Sequence, residues 1–387
     1  MPTTPAKNLL YRAALPILAP RSRGQMTHHI SGHPLTTLPN YERILAKHHV
    51  FGASLLLQDG ANCALCDTST ANPEHLTQEN TLYRVASITK MATALVTLRC
   101  IDNGLFALDS EAASLLPDGE KAPALSGVTV RHLLCHTSGL RDLPMLDDCL
   151  KEGRPYTELL RQPEIRACAP GQQLIYSNFG FGLLGCILEQ QTGLCIEPLF
   201  QEMLFRPLHM RATLDASTLN EAEIMPITRV LPYRAGQELR VTALGRHPLQ
   251  KPNPLCHYGH TAGAMYTDGR SVLQMLTLIY QRGTMDEMRL IGESLMQEMT
   301  RRQSATPTRT YGLGLVILNR PEISPRQLLG HQGFAYGCVD GAFIEEGTGR
   351  AVVFLNGGAS EARTGRLGLV NRDVLQWALK QEMPSWT

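Results

Sequence analysis

Ser87 and Lys90 stand three residues apart in the stretch YRVASITKMATALVTL, residues 83–98. On a helix, positions i and i+3 share a face, so the Lys90 amine would lie within reach of the Ser87 hydroxyl. A hydroxyl is a weak nucleophile until a nearby base takes its proton, and the partnerless N–H groups of a helix start favour the resulting negative charge. Because Ser-x-x-Lys is expected by chance about once in a chain of this length, a polar helix start is the alternative interpretation.

Two more groups of residues have spacings that suit chemistry. Tyr176 and Asn178 stand two apart after a Pro-Gly turn, just before the apolar run FGFGLLGCIL. In an extended segment both would project into the same cleft, although Asn178 could instead cap a helix while Tyr176 packs. His331 and Gly333, in GHQGFAYG, fall on a predicted strand where glycine lets a ligand approach the backbone. Taken alone, that stretch is a glycine-rich strand edge.

The elements that would position these residues follow from the apolar periodicity. A helix (NYERILAKHH) and two strands (VFGASLLLQDG, NCALCDTS) are predicted first. Mainly helical and loop-rich sequence follows to about residue 300. Four short β-type segments and a closing helix (RDVLQWALKQ) end the chain. We therefore expect an α+β fold in which an antiparallel sheet, built from both termini and flanked by helices, carries an inserted helical region. Residues 35–80 and 300–387 would form the sheet region and 81–299 the mainly helical region.

Residues 1–34 are predicted to be a poorly ordered leader. Their most apolar stretch, LLYRAALPILAP, is interrupted by Arg12 and Pro16, and no small-residue cleavage site of a signal peptide follows it.

Composition limits the classes of partner. With 36 basic and 35 acidic residues the net charge is +1, which gives no electrostatic reason to expect nucleic acid or an anionic membrane surface. No apolar run approaches the ~18 residues of a membrane span. Most of the ten cysteines stand alone inside apolar segments, as free thiols in a cytoplasmic protein do. A periplasmic or secreted location is the alternative, if residues 1–34 act as an atypical export signal.

The sequence predicts neither a metal nor an organic cofactor. Cys63 and Cys66 form a C-x-x-C pair, but a structural zinc site needs a second pair of ligands, and two strand cysteines are the better interpretation. The stretch THHISGH, with His28, His29 and His33, reads as solvated polar residues of the leader.

Taken in order, Ser87-x-x-Lys90, Tyr176-x-Asn178 and His331-x-Gly333 resemble the motifs of the serine β-lactamase and penicillin-binding-protein superfamily. The resemblance is strongest to its class C-like branch of D,D-peptidases, D-aminopeptidases and esterases. The segments LLCHTSGL and GHTAGAMYTDGRSVLQML are also typical of this branch, so the resemblance extends over about residues 36 to 380. It implies a β-lactamase/transpeptidase-like fold and an acyl-enzyme formed on a serine.

The resemblance also implies a role for each residue. Ser87 would attack a carbonyl, and Lys90 and Tyr176 would pass on its proton. The sequence does not decide which of these two residues is the general base. Asn178 would bond the substrate, and His331 would line the cleft and support Tyr176. The backbone N–H groups of Ser87 and of Phe334, which follows Gly333, would form the oxyanion hole.

Two positions depart from the pattern of relatives that grip a substrate carboxylate. Those usually carry Lys where this chain has His331, and Ser or Thr where it has Phe334, so a mostly neutral imidazole replaces a cation. Arg326, or Arg363 and Arg366, could restore a positive charge. We therefore predict a serine hydrolase for a small ester, amide or peptide, with β-lactamase or D-alanyl-D-alanine carboxypeptidase next. A sensor or scaffold without turnover is the alternative of another class.

Other candidates for the catalytic residues have less support in the sequence. Ser138, in HTSGL, lacks the leading glycine of a G-x-S-x-G elbow and reads as a turn. Four histidines are better explained by capping or packing than by a Ser-His-Asp triad, which the sequence leaves open: His132, His136, His257 and His260.

Overall fold

Twelve α-helices are found in the part of the chain that the computed structural model describes, residues 4–19, 26–35, 37–69, 81–234, 249–307 and 309–382. They are α1 (Pro5–Leu18), α2 (Leu38–Lys47), α3 (Thr89–Asp102), α4 (Ala112–Leu115), α5 (Val130–Leu134), α6 (Leu146–Glu152), α7 (Thr157–Leu160), α8 (Asn178–Thr192), α9 (Ile196–Phe200), α10 (Gly269–Tyr280), α11 (Glu293–Thr300) and α12 (Leu369–Ala378).

A nine-stranded antiparallel sheet is the main β element of these residues. Its strands are β1 (Thr27–Gly32), β2 (Ala53–Asp59), β3 (Asn62–Ser69), β9 (Ser304–Thr306), β10 (Arg309–Tyr311), β11 (Val316–Leu318), β12 (Leu328–Ala335), β13 (Cys338–Glu345) and β14 (Ala351–Asn356). They lie side by side in the order β1-β3-β2-β14-β13-β12-β11-β10-β9. The smaller sheets consist of β4 (Tyr83–Arg84), β5 (Ala212–Thr213) and β6 (Tyr266–Thr267), of β7 (Thr284–Met285) and β8 (Met288–Arg289), and of β15 (Arg363–Thr364) and β16 (Leu367–Gly368).

The two ends of the chain meet at the centre of the large sheet. Strand β2 pairs with β14 so that Leu55 lies opposite Phe354, and the helices between them in sequence are inserted as a separate layer. The expected α+β fold, with an antiparallel sheet built from both termini and an inserted helical region, is confirmed.

Alternation along β2 divides the apolar core between the two faces of the sheet. Leu56 packs in a cluster with residues of α3, α8 and α10, whereas its neighbours Leu55 and Leu57 pack on the other face with Tyr41 of α2 and Trp377 of α12. Successive side chains of a strand point to opposite faces, which explains this division. Helix α3 lies inside the first cluster, with eleven of its fourteen residues buried.

The poorly ordered leader expected over residues 1–34 is not what the structure shows in the described part of that segment. Pro5–Leu18 form α1, and Thr27–Gly32 form the edge strand β1, in which Ile30 pairs with Cys66 of β3. The prediction was wrong because it treated the polar residues of this segment as solvated. Strand pairing uses backbone N–H and C=O groups, which every residue except proline supplies in full. Residues 1–3 and 20–25 lie outside the described residues.

Within the described ranges, no single helix has the length and apolar character needed to cross a membrane. One pair of helices bent by 87°, Asn178–Thr192 with Ile196–Phe205, reaches that length and composition only when the two are taken together.

Candidate active site

Ser87 lies in a 3-10 turn, Ala86–Ile88, between strand β4 and helix α3. Ala86 has a φ of 45°, a left-handed conformation that few residues other than glycine adopt. The Thr89 hydroxyl donates to the Ala86 carbonyl at 2.6 Å and holds the turn. Ser87 is therefore presented just ahead of the helix, partly exposed, rather than inside its first turn.

Lys90 lies beneath Ser87 in the first turn of α3 and is fully buried. Its Nζ is 3.2 Å from Ser87 Oγ, 2.8 Å from Asn178 Oδ1 and 2.6 Å from the Ala262 carbonyl oxygen. Burial lowers the pKa of Lys90 from 10.5 to about 7, against the opposing effect of the Asp142 charge.

The partners of Lys90 decide where its lone pair points. The Ala262 carbonyl can only accept a hydrogen bond, and so can the Asn178 side-chain oxygen, so a neutral Lys90 spends both of its N–H groups on them. Its lone pair is then left for the Ser87 O–H. This is the arrangement that a general base requires.

Tyr176 approaches the same serine oxygen from the loop before α8. Its hydroxyl donates to Ser87 Oγ at 2.9 Å, and its ring centroid lies 4.3 Å from that of His136. The Lys90 Nζ lies 5.0 Å from the Tyr176 ring centroid. Two groups that can carry a proton therefore flank one serine oxygen.

Asp142 organises the start of α8, and the sequence analysis missed it. Its Oδ1 accepts from the Ser177 hydroxyl at 3.1 Å and from the Phe179 N–H at 2.9 Å, and its Oδ2 accepts from Asn178 Nδ2 at 2.7 Å. The bond to Nδ2 orients the Asn178 amide with its oxygen toward Lys90. The available signal was weak: an acidic residue that follows HTSGL but lies far in sequence from the helix that it caps.

His331 lies on β12, as the sequence predicts, and lines the cleft. Its Nδ1 donates to the Gln332 carbonyl at 2.8 Å, which leaves Nε2 without a proton. Burial, reinforced by the nearby Lys90, lowers the pKa of His331 to about 3, so the imidazole is neutral.

Gly333 lets two pieces of backbone meet. A Cβ atom at this position would lie 2.3 Å from the Val85 carbonyl oxygen. The glycine was expected to let a ligand approach the backbone. In the structure it instead allows close contact with the backbone of Val85, which precedes the turn of Ser87. Strand β12 is thereby held against the turn that contains Ser87.

A cleft of about 300 Å³ joins these residues. Arg363 and Arg366 contribute cations to it, and the Arg363 guanidinium carbon lies 3.8 Å from the Phe334 ring centroid. The described residues that line the cleft include no Asp or Glu, nor Arg326: they are Ser87, Tyr176, Asn178, Tyr311, Val316, His331, Gln332, Phe334, Arg363 and Arg366.

The competing candidates have structural partners of their own. Ser138 is buried, and its Oγ accepts from the Leu140 N–H at 3.2 Å. His132 completes a capping box at the start of α5. In the described chain the hydrogen-bond partners of Ser87 Oγ are Lys90 and Tyr176, and neither is a histidine as a triad would require.

One buried cluster away from the cleft has metal-ligand chemistry. Ligand atoms of Glu189, Cys195 and His257 lie within 4.8 Å of one another. The Glu189 carboxylate accepts from His257 Nδ1 at 2.7 Å and from the Ile196 and Asn253 N–H groups, so hydrogen bonds explain its burial. Cys63 and Cys66 both lie on β3 and pack on opposite faces of the sheet.

The Beta-lactamase family model matches residues 40–373. Esterase EstB of Burkholderia gladioli is 27% identical over 343 residues, which cover 77% of this chain and 83% of that protein. Monacolin J acid methylbutanoyltransferase of Aspergillus terreus is 32% identical over 157 residues, 34% of this chain and 37% of that enzyme. With the first curated relatives that it matches, the chain therefore shares little more than a third of their length.

Solved structures share the fold. The D-amino acid amidase of Ochrobactrum anthropi SV3, in complex with D-phenylalanine, superposes with a TM-score of 0.69 at 21% identity, over 89% of this chain and 99% of that one. The family resemblance drawn from three short motifs is thus matched over most of the chain. The chain belongs to the Beta-lactamase family.

Proposed function

We propose that this protein is a serine hydrolase that cleaves a small ester, amide or peptide through an acyl-enzyme on Ser87. The observation that carries the proposal is the shared serine oxygen: Lys90 Nζ and the Tyr176 hydroxyl lie 3.2 and 2.9 Å from it. Lys90 has a pKa of about 7, so a large fraction is neutral at physiological pH.

In acylation, the Ser87 oxygen attacks the carbonyl carbon while its proton moves to the lone pair of Lys90. The bond to the leaving group then breaks, and the Tyr176 hydroxyl, which faces the same oxygen, supplies that group with a proton. Lys90 returns the proton to Tyr176, so the net change is one proton moved from Ser87 to the leaving alcohol or amine. In deacylation, water attacks the acyl carbon and gives one proton to Tyr176 and Lys90, which pass a proton to the Ser87 oxygen as the acyl–serine bond breaks. The products are the free acid and the restored serine.

The developing oxyanion needs donors, and we assign this role to the backbone N–H groups of Ser87 and Phe334. The close packing of Gly333 on Val85 supports the assignment, because it keeps the strand of Phe334 next to the turn of Ser87. One such donor contributes about 3 kcal/mol to lowering the barrier.

The charge of the cleft narrows the substrate class. His331 is neutral, but Arg363 and Arg366 bring two permanent cations to a cleft whose described lining holds no carboxylate. We therefore propose that the preferred substrate carries an anionic group on the side of the β15–β16 hairpin. A substrate with a free ammonium group there would meet like charge.

Intact-protein mass spectrometry over time tests the reaction. The protein and Ser87→Ala are mixed separately with a p-nitrophenyl ester, a β-lactam and a D-alanyl-D-alanine peptide. We expect an adduct of the acyl mass that depends on Ser87 and decays as product appears. A stable adduct would indicate the sensor alternative, and no adduct with any compound would refute the proposal. An added alcohol that captures the acyl group would reveal transfer of the kind named for the Aspergillus relative.

Matched esters test the charge preference. A succinate half-ester and a neutral methylated analogue of the same length share the reacting bond and differ in one negative charge. We expect kcat/KM to favour the anionic ester, and Arg363→Ala and Arg366→Ala each to reduce that preference by about tenfold while leaving the neutral ester unaffected. Equal effects on both esters would mean that the arginines do not contact the anion.

A further inference from the structure

Helix α1 presents an apolar surface to solvent. Of the eleven large hydrophobic residues that are exposed in the described chain, four lie on this one helix of fourteen residues. They are Leu9, Leu10, Ile17 and Leu18, each between 63% and 80% exposed. Exposed single apolar residues are ordinary, but a contiguous group marks a contact surface.

Three of these four residues form a stripe with a basic residue on each side, and Leu18 lies outside it. At about 100° per residue, Leu9, Leu10 and Ile17 fall within an arc of about 100°. Lys7 lies roughly 60° beyond one edge of that arc and Arg12 roughly 60° beyond the other. Both basic side chains are exposed.

The charge of this part of the chain is one-sided. The first 41 residues contain four Lys or Arg and no Asp or Glu, although the whole chain has a net charge of +1. The overall value therefore conceals a local positive segment. Such a segment complements a negatively charged partner.

The opposite side of α1 is fixed to the folded protein. Asn8 Nδ2 donates to the Arg363 carbonyl at 2.8 Å, and the Arg363 N–H donates back to Asn8 Oδ1 at 2.9 Å. The Tyr11 hydroxyl accepts from the Glu361 N–H at 3.1 Å, and burial raises the pKa of Tyr11 to about 12. The apolar stripe is thus held outward and beside the cleft, because the Arg363 side chain lines that cleft.

We propose that α1 is an interfacial helix that lies on an anionic lipid surface. The stripe of Leu9, Leu10 and Ile17 would enter the boundary between headgroups and acyl chains, with Lys7 and Arg12 at the level of the headgroups. The helix would lie in the plane of the surface and bring the mouth of the cleft next to it. The proposal is independent of the reaction at Ser87.

Vesicle flotation with the full chain tests it, using phosphatidylcholine vesicles with and without phosphatidylglycerol. We expect the wild type to float with the anionic vesicles and to be released by salt. Leu10→Glu/Ile17→Glu should weaken binding by at least tenfold, because two aliphatic side chains no longer enter the apolar part of the bilayer. Lys7→Ala/Arg12→Ala should weaken binding to the anionic vesicles by roughly fivefold per residue and affect neutral vesicles little.

Leu105→Glu/Leu194→Glu is the matched control, because both leucines are exposed elsewhere on the molecule. We expect this variant to bind vesicles like the wild type, and all variants to hydrolyse a water-soluble ester equally well. No flotation of the wild type, or equal flotation of Leu10→Glu/Ile17→Glu, would overturn the proposal. A dimer seen by light scattering that Leu10→Glu/Ile17→Glu abolishes, without vesicle binding, would assign the stripe to a second copy of the chain.

Discussion

The buried Lys90 makes the stability of the fold depend on pH in a way that one substitution isolates. Its pKa falls from 10.5 in an exposed lysine to about 7 in the folded protein, mainly because burial disfavours the charge. Between those pH values the unfolded chain binds one proton more than the folded protein. The free energy of unfolding therefore rises with pH across this interval, by about 1.4 kcal/mol per pH unit.

Lys90→Met removes this titration while keeping a side chain of similar length. Over the whole interval the lysine contributes a pH-dependent change of about 5 kcal/mol, which the methionine variant lacks. The acceptors of Asn178 and Ala262 lose a donor, which costs about 1–3 kcal/mol each at every pH. We therefore expect the wild type to lose stability relative to Lys90→Met as pH falls from 10 to 7. Below pH 7 the difference between their free energies of unfolding should become constant.

Urea unfolding of wild type and Lys90→Met across this pH range measures the difference. Lys251→Met serves as the control, because Lys251 is exposed in the folded protein. A difference for Lys90→Met that stays constant with pH would refute the low pKa. The same pKa should appear in catalysis as a kcat/KM that rises through about pH 7, since only the neutral amine can accept the proton of Ser87.

Three further changes test other parts of the site. Tyr176→Phe should lower kcat by about a hundredfold or more with little change in stability, because it removes the hydroxyl that donates to Ser87 and keeps the ring that packs on His136; a variant with full activity would exclude Tyr176 from proton transfer. Asp142→Asn should move the acidic limb of the pH profile to lower pH, since the Asp142 charge raises the pKa of Lys90, and a shift to higher pH would contradict this electrostatic account. Gly333→Ala should destabilise the protein by about 1–3 kcal/mol and lower kcat, because its methyl group would lie 2.3 Å from the Val85 carbonyl oxygen; unchanged thermal unfolding and turnover would show that strand and turn can separate freely.

The sequence was most informative about features that one continuous segment of the chain specifies by itself. Ser87 and Lys90 could be paired because helical spacing relates them directly, and their atoms are 3.2 Å apart in the structure. The central strands were visible because β2 and β13 contain short apolar runs, residues 55–57 and 342–344, and are bounded by turns. The motifs of the cleft then indicated the family, which is confirmed.

Contacts between groups that lie far apart in the sequence could not be predicted from the sequence. The Ala262 carbonyl bonds Lys90, but a carbonyl group is present at every residue and leaves no sign in the sequence. Asp142 caps a helix 36 residues further along the chain, beyond any capping pattern. Strand β1 is specified by its partner β3 rather than by its own polar residues, so it was assigned to a disordered leader.

The pairing of β2 with β14 has a consequence for how the chain acquires its structure during synthesis. Gln58 emerges from the ribosome long before its partner Ala351, so the centre of the sheet closes only when translation is almost complete. Until then α3, with eleven residues that end up buried, has no complete sheet to cover it. The nascent chain must therefore carry this helix incompletely covered through most of elongation, a state in which chaperone binding competes with aggregation.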